Sequence, residues 1–197
     1  MIRQYGILGT IKLFFSLIYT RILYPGTRLI RFPFDIRGRK FITWGSGFTT
    51  GVGCRLEAYP IAKNNEPVLT FGKNVQINDY VHITAMEGVI IGDNVLIASK
   101  VYISDCTHGS YAGNKDDSSP LIAPKDRPYQ TKKVIIENNV WIGEFVSVLP
   151  GVKIGSGTIV GANSIVTKSL PANVIAVGSP AKPIKKYNFD SLLWEKY

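Results

Sequence analysis

An aliphatic residue returns at every sixth position from Ile136 onward: Ile136, Ile142, Val148, Ile154, Val160 and Val166. Four residues into each unit stands a small or β-branched residue, at Val140, Val146, Val152, Thr158 and Ser164. Glycine often follows the aliphatic residue, as in Ile142-Gly143, Ile154-Gly155 and Val160-Gly161. This period is neither the ~3.6 of a helix nor the ~2 of a long strand. It reads as one short strand plus one tight corner, with the aliphatic side chain inward and the glycine easing the corner by a positive φ. Three such units close a triangular coil. Stacked coils pair their strands in parallel at about 4.8 Å and pile the aliphatics into one core.

The same phase appears at Phe71-Gly72, Ile77 and Ile83, then at Ile91-Gly92, Ile97 and Ile103, with two extra residues between the runs. A weaker version starts at Trp44-Gly45, Thr50-Gly51 and Leu56. The repeat breaks between Cys106 and Lys133, in a stretch rich in Ser, Asp, Lys, Pro and Gly. A long loop inside a compact domain is usually functional. The repeat ends near Pro171, and Phe189, Leu192 and Leu193 in the tail suggest a short helix capping the open end.

Residues 1–40 hold Arg3, Lys12, Arg21, Arg28, Arg31, Arg37, Arg39 and Lys40 against one acid, Asp35, and so carry most of the formal charge of +9. Such a block fits a local anionic partner or a solvated basic surface. Ile7, Leu8, Ile11, Phe14, Phe15, Ile18 and Ile22 follow helical spacing, and Pro25 and Pro33 end the stretch. Lys12 and Arg21 bracket an apolar run of eight residues. A spanning helix needs ~20, so this segment is not expected to cross a bilayer. No small-residue cleavage site follows it. The helix suits an anionic membrane surface, its own domain or a neighbouring subunit.

The chain has two histidines, His82 and His108, and two cysteines, Cys54 and Cys106. A metal site of three histidines is therefore excluded, no zinc-type spacing occurs, and a reducing compartment fits. Neither a glycine-rich phosphate loop nor a nucleic-acid module is present. His108 lies where the coil gives way to the loop, which makes it a candidate general base or a turn histidine before Gly109. His82 sits at the last position of a repeat unit, facing outward, in a structural or substrate-contacting role. Cys106, two residues from His108, offers a competing thiol–imidazole pair, with Asp105 the one orienting group in view.

The runs 91–98, 139–143, 150–155, 160–168 and 177–182 resemble the hexapeptide-repeat acyltransferases that include galactoside and maltose O-acetyltransferases. The likeness spans roughly Phe71 to Lys186. Asn78–Ile83, Ser104–Gly109 and the basic, apolar N-terminal segment resemble most the bacterial O-acetyltransferases of lipopolysaccharide O-antigen and capsule synthesis. The resemblance implies a homotrimer with acetyl-CoA in clefts between neighbouring β-helices. It puts the catalytic base on His108, the substrate-binding asparagine on Asn78 and the oxyanion donor on the backbone amide of Glu144. Trp141 falls near the acetyl and pantetheine end, with Gly143, Ala162, Thr167 and Lys168 along the coils after it. Lys182 and Lys185 fall near the CoA phosphates, as point charges rather than bidentate forks. Two features depart from the sugar acetyltransferases. The loop between His108 and Trp141 is longer, and their acidic residue in an N-terminal helical region has no clear counterpart.

The chain is accordingly expected to be all-β: a left-handed parallel β-helix over 41–186, with an excursion loop at 109–132. A partly helical basic segment, 1–40, precedes it, and a helical cap, 187–197, follows. The expected activity is acetyl-CoA-dependent O-acetylation of a sugar hydroxyl in surface polysaccharide biosynthesis. His108 would be the general base, Asp105 would orient it, and Asn78 and His82 would meet the acceptor, lipid-linked or otherwise. The alternatives are a sugar-nucleotide N-acyltransferase and a non-enzymatic β-helix scaffold at the membrane. The expected location is the cytoplasm, at the inner membrane face if the helix binds lipid, and no nucleic-acid partner is expected.

Overall fold

Each six-residue step carries the chain along one face and round one edge of a three-sided prism. The computed structural model describes residues 2–62 and 65–197. The first face stacks Ile42–Trp44, Leu69–Phe71, Val89–Ile91, Val134–Ile136 and Lys153–Ile154. The second stacks Thr49–Thr50, Gln76–Ile77, Leu96–Ile97, Trp141–Ile142, Ile159–Val160 and Val174–Gly178. The third stacks Phe34–Arg37, Cys54–Ala58, His82–Ala85, Tyr102–Ser104, Ser147–Val148 and Ile165–Val166. Neighbours within each stack pair in parallel.

The period-six aliphatics are the rungs of these stacks. Ile77, Ile97, Ile142 and Val160 pair in register on the second face, and Leu56, Ile83, Ile103, Val148 and Val166 on the third. All nine are fully buried. Burial of one such side chain contributes ~1.5–3 kcal/mol, so the stacked core dominates the stability. Val140, Val146, Val152, Thr158 and Ser164 are buried as well.

The corner glycines act differently from the expectation. Positive φ falls two residues after them, at Asn74, Asn94 and Asn163. The glycine itself meets the next coil. A Cβ on Gly72 would lie 2.3 Å from Asp93 Oδ1 and 2.7 Å from the Gly92 carbonyl carbon. Close approach, not a left-handed φ, selects glycine there.

The two extra residues between the earlier runs become a longer strand, His82–Ala85, and the turn after it. The coil starts earlier than 41, because Phe34–Arg37 already pairs with Cys54–Ala58. Its strand carries no aliphatic-glycine signature, which hides it in the sequence. The expected C-terminal helix is instead an antiparallel hairpin. Ala181–Asn188 pairs with Val174–Gly178, and Leu193–Lys196 pairs with Ala181–Asn188. Phe189, Leu192 and Leu193 stay exposed, so no core was on offer to a helix, whereas the open edge of the second face supplies backbone partners.

The excursion is rooted rather than structureless. Cys106–His108 pairs antiparallel with Tyr129–Thr131, and the Lys132 amide donates to the Asp105 carbonyl at 2.9 Å. The chain thus leaves and rejoins the coil at one point.

The N-terminal helix spans Ile2–Leu23, with a break in helical geometry at Gly6. Its buried residues are Ser16 and Thr20. Thr20 Oγ1 donates to the Ser16 carbonyl at 2.6 Å and accepts from the Ile30 amide at 2.8 Å. Ile7, Leu8, Ile11, Phe14, Phe15, Ile18 and Ile22 are all exposed. Packing of these residues on their own domain, one of the expected alternatives, does not occur. By length and composition the helix is also apolar enough to cross a membrane. The bracketing-charge argument misses this because helix continues past both cations, Lys12 and Arg21.

Candidate active site

One group of expected site residues follows the edge between the second and third faces. The amides of Asn78, Ala98 and Gly143 donate to the carbonyls of Ile97, Ile142 and Val160 at 2.8 Å each. Asn78, Ala98, Gly143 and Gly161 therefore stack coil on coil. Gly143 admits no side chain, since a Cβ would lie 2.7 Å from the Ala162 amide nitrogen. Glu144 and Ala162 are exposed beside it.

Trp141 projects from the second face, 49% exposed, in register with Leu96 and Ile159. Ile159 pairs with Ile175, and Ile175 with Lys185. A row about 15 Å long thus runs from the indole to the Lys185 strand. Lys182 and Lys185 are both exposed, which suits the phosphates of a CoA lying along this row. An indole, small corner residues and unshielded cations fit that ligand.

The second group occupies the edge between the third and first faces. Thr167 and Lys168 are exposed at the corner after Val166. His108 is exposed at the root of the excursion, its ring centroid 4.6 Å from that of Tyr129. Tyr111 donates its hydroxyl to the His108 carbonyl. The third face separates the two groups within one chain.

Asp105 does not orient His108. Its carboxylate is fully buried and accepts from the amides of Met86, Glu87 and Gly88 at 2.6–3.0 Å. It holds the turn formed by the extra residues of that coil. The thiol–imidazole alternative also loses support. Burial pushes the Cys106 thiol up, against the thiolate it would need, and Ser104 rather than His108 bonds it.

His82 opens a strand instead of closing a corner. Nε2 lies 2.8 Å from Glu57 Oε2, and Nδ1 lies 3.1 Å from Arg55 Nη2. Both ring nitrogens are engaged inside the chain, which leaves neither for a substrate. Glu57 also takes Arg37 at 2.7 Å and the Thr84 hydroxyl at 3.1 Å. Sequence reasoning missed this cluster. Strand alternation in Cys54–Ala58, which sends Arg55 and Glu57 to one side, is the signal that could have found it. Among the described residues no group of three or more His, Cys, Asp or Glu could hold a metal ion.

Comparison with known proteins follows the same lines. The family described as "Bacterial transferase hexapeptide (six repeats)" matches residues 133–168. A protein of Escherichia coli (strain K12) named as a lipopolysaccharide biosynthesis O-acetyl transferase, WbbJ, is 48% identical over 194 residues, covering 98% of this chain and 96% of its own. The E. coli protein named as a colanic acid biosynthesis acetyltransferase, WcaF, is 34% identical over 71% of this chain and 70% of its own. Among solved structures, a mutant of AntD, an N-acyltransferase from Bacillus cereus in complex with dTDP and coenzyme A, superposes with a TM-score of 0.69. It is 26% identical, covering 88% of this chain and 90% of that one.

Proposed function

The chain belongs to the hexapeptide-repeat acyltransferases, and from that premise we propose that it O-acetylates a sugar during surface-polysaccharide biosynthesis. Acetyl-CoA is the acyl donor. The observation that carries the reading is the end-to-end identity to the WbbJ protein. The left hand of the coil and the residue roles below are part of the same proposal.

His108 takes the proton of a sugar hydroxyl as that oxygen forms a bond to the thioester carbonyl carbon. The backbone amide of Glu144 donates to the developing oxyanion. The C–S bond then breaks, and the proton on His108 passes to the departing thiolate. General-base catalysis supplies ~10²–10⁴-fold and one oxyanion donor about 10²–10³-fold. Asn78 orients the acceptor. Trp141, Gly143, Ala162, Thr167, Lys168, Lys182 and Lys185 hold the donor.

Because the two groups of residues lie on different edges of one chain, the working unit is a homotrimer in which edges of neighbouring copies face each other. The enzyme acts in the cytoplasm. Its N-terminal helix, apolar outward and free of acids, docks it on the inner membrane face.

The test is acceptor-dependent thiol release from acetyl-CoA by wild type and His108→Ala, with oligosaccharide and amino-sugar acceptors. Hydroxyl-dependent release that falls ~10²–10⁴-fold in the variant is the expected result. Equal rates remove His108 from its role. Release only with an amine acceptor selects the N-acyltransferase reading, and no release with either selects the scaffold.

A further inference from the structure

A histidine takes a proton efficiently only when its ring is held at the right angle to the donor. In the usual arrangement a carboxylate or carbonyl bonded to the second ring nitrogen holds it. His108 has no such partner: among the described residues neither of its ring nitrogens is hydrogen-bonded. Asp105 is taken by the amides of Met86, Glu87 and Gly88. Asp117 accepts from the amides of Ala112 and Gly113 at 2.7 and 2.9 Å, and Asp126 meets Lys125 at 3.3 Å.

What the ring does meet is Tyr129. The two residues stand directly opposite each other in the antiparallel ribbon of Cys106–His108 and Tyr129–Thr131, so their side chains leave it on the same side. Their ring centroids are 4.6 Å apart and their planes are inclined at 48°. An aromatic ring laid beside the imidazole limits its rotation about χ2 and leaves its nitrogen-bearing edge open to a hydroxyl.

The backbone beneath the ring is fixed as well. The Gly109 amide donates to the Pro128 carbonyl at 2.9 Å, which extends the ribbon past the pair. Arg127 donates from Nη1 to the Tyr111 hydroxyl at 2.7 Å and from Nε to the Ile122 carbonyl at 2.9 Å. Arginine only donates, so the Tyr111 hydroxyl accepts that bond and commits its own proton to the His108 carbonyl. Gly109 makes room for this contact, since a Cβ there would lie 2.8 Å from the Tyr111 hydroxyl oxygen. Both limbs of the excursion thus converge on the one residue.

We propose that Tyr129 is the positioning residue of His108. Ring packing holds the imidazole that a hydrogen bond holds in other histidine bases, and Arg127 with Tyr111 fixes the backbone beneath it. The inference rests on the reading of His108 as the base. It gives the excursion a task in the chemistry, because the loop carries both the base and the frame that aims it.

The first arm of the test needs no turnover. The chain has two histidines, so full-length protein labelled at histidine gives two sets of imidazole NMR signals, and His108→Ala identifies one of them. Tyr129→Leu is expected to move that set by removing the neighbouring ring current, and Tyr129→Phe to leave it near its wild-type position. A set that Tyr129→Leu does not move overturns the proposal.

The second arm is kinetic. Tyr129→Leu is expected to lower kcat about tenfold or more with KM for acetyl-CoA and acceptor within about twofold, since a ~1 Å misplacement costs up to ~10²-fold. Tyr129→Phe is expected to retain most of kcat. A change in KM alone makes Tyr129 a substrate contact and overturns the proposal. Wild-type kcat in Tyr129→Leu, where His108→Ala is inactive, overturns it too; the transferase reading survives both results. Tyr129 is half-exposed and outside the coil, so Tyr129→Leu should melt as the wild type does. If the ribbon unfolds instead, Arg127→Gln keeps the Tyr129 ring and removes only the tie to the backbone. A several-fold lower kcat at unchanged KM in that variant supports the frame, and an unchanged kcat overturns it. A Tyr129-dependent ring signal in a protein that acetylates no acceptor supports the contact and counts against the transferase reading alone.

Discussion

Glu57 Oε2 lies 2.8 Å from His82 Nε2, and the same carboxylate holds Arg37 at 2.7 Å from its other oxygen. Arginine only donates, so Nδ1 of His82 accepts from Arg55 and Nε2–H donates to Glu57. Outward side chains of three neighbouring strands are thereby tied across the third face, beside the root of the excursion that carries His108. The cluster ties neighbouring coils together and engages both ring nitrogens of His82.

Burial pushes the Glu57 carboxyl up, but the His82 hydrogen bond, the Arg55 charge and the Thr84 hydroxyl outweigh it and leave it below its ordinary value. A carboxyl depressed in the folded state stabilises above its unfolded pKa, about 4.3, and loses that contribution as pH falls through the folded one. Glu57→Gln should therefore lower stability by about 1–3 kcal/mol at neutral pH. Thermal melts of both proteins from neutral to acid pH should converge as the wild type acidifies. A gap that stays constant down to strongly acid pH removes the ionised brace.

Asp105 separates position from function. Asp105→Asn retains one amide-accepting oxygen but presents a donor to backbone N–H groups, and its full burial leaves the mismatch unrelieved. A loss of about 2–4 kcal/mol is expected, with kcat/KM per folded molecule changed less than about threefold. A large fall in kcat/KM in a fully folded variant would restore Asp105 as a partner of His108.

Much of this architecture is legible in the sequence because the repeat fixes each residue's place by counting. Ile136 and Ile154 sit on one face because three six-residue steps make a turn, and Asn78, Gly143 and Trp141 inherit their neighbours from that register. What escapes depends on contacts the period does not encode. Asp105 reads as an orienting acid because it is three residues from His108, but its partners are amides of the preceding coil. The tail reads as helical from the spacing of Phe189, Leu192 and Leu193, whereas the open edge of the second face is the stronger determinant. Arg37, Arg55 and Glu57 escape because they lie on the first two strands of the third face, where the repeat signature is weakest.

Gly143 tests the close approach of coils at the site. Gly143→Ala would set a methyl group 2.7 Å from the Ala162 amide nitrogen and 2.9 Å from the Val160 carbonyl oxygen. Neither atom can yield without opening the coil spacing. A loss of about 1–3 kcal/mol is expected, together with weaker CoA binding at the same edge. Calorimetry reads both; an alanine variant with unchanged melting and CoA affinity would show that the edge flexes freely.

The N-terminal helix is the last element whose partner the fold itself does not supply. At ~100° per residue, Ile7, Leu8, Ile11, Phe14, Phe15, Ile18 and Ile22 form one stripe directed away from Ser16 and Thr20. Lys12 and Arg21 fall at the two margins of that stripe. In the peripheral reading proposed above, the stripe lies among acyl chains and the cations at the headgroups; a spanning helix, which length and composition also allow, would resist extraction by high salt or alkaline carbonate. A subunit contact would bury the stripe equally well but gives no role to cations without acids. Full-length protein should cosediment with vesicles containing phosphatidylglycerol and far less with phosphatidylcholine alone. Lys12→Gln and Arg21→Gln should each weaken partitioning several-fold, at ~1 kcal/mol per cation. Phe15→Glu combined with Ile18→Glu should abolish it without lowering the melting temperature, because both side chains are exposed. Cosedimentation indifferent to lipid charge would exclude the electrostatic half of the argument. Protein that stays in the supernatant with wild type and variants alike would leave the stripe to a neighbouring subunit.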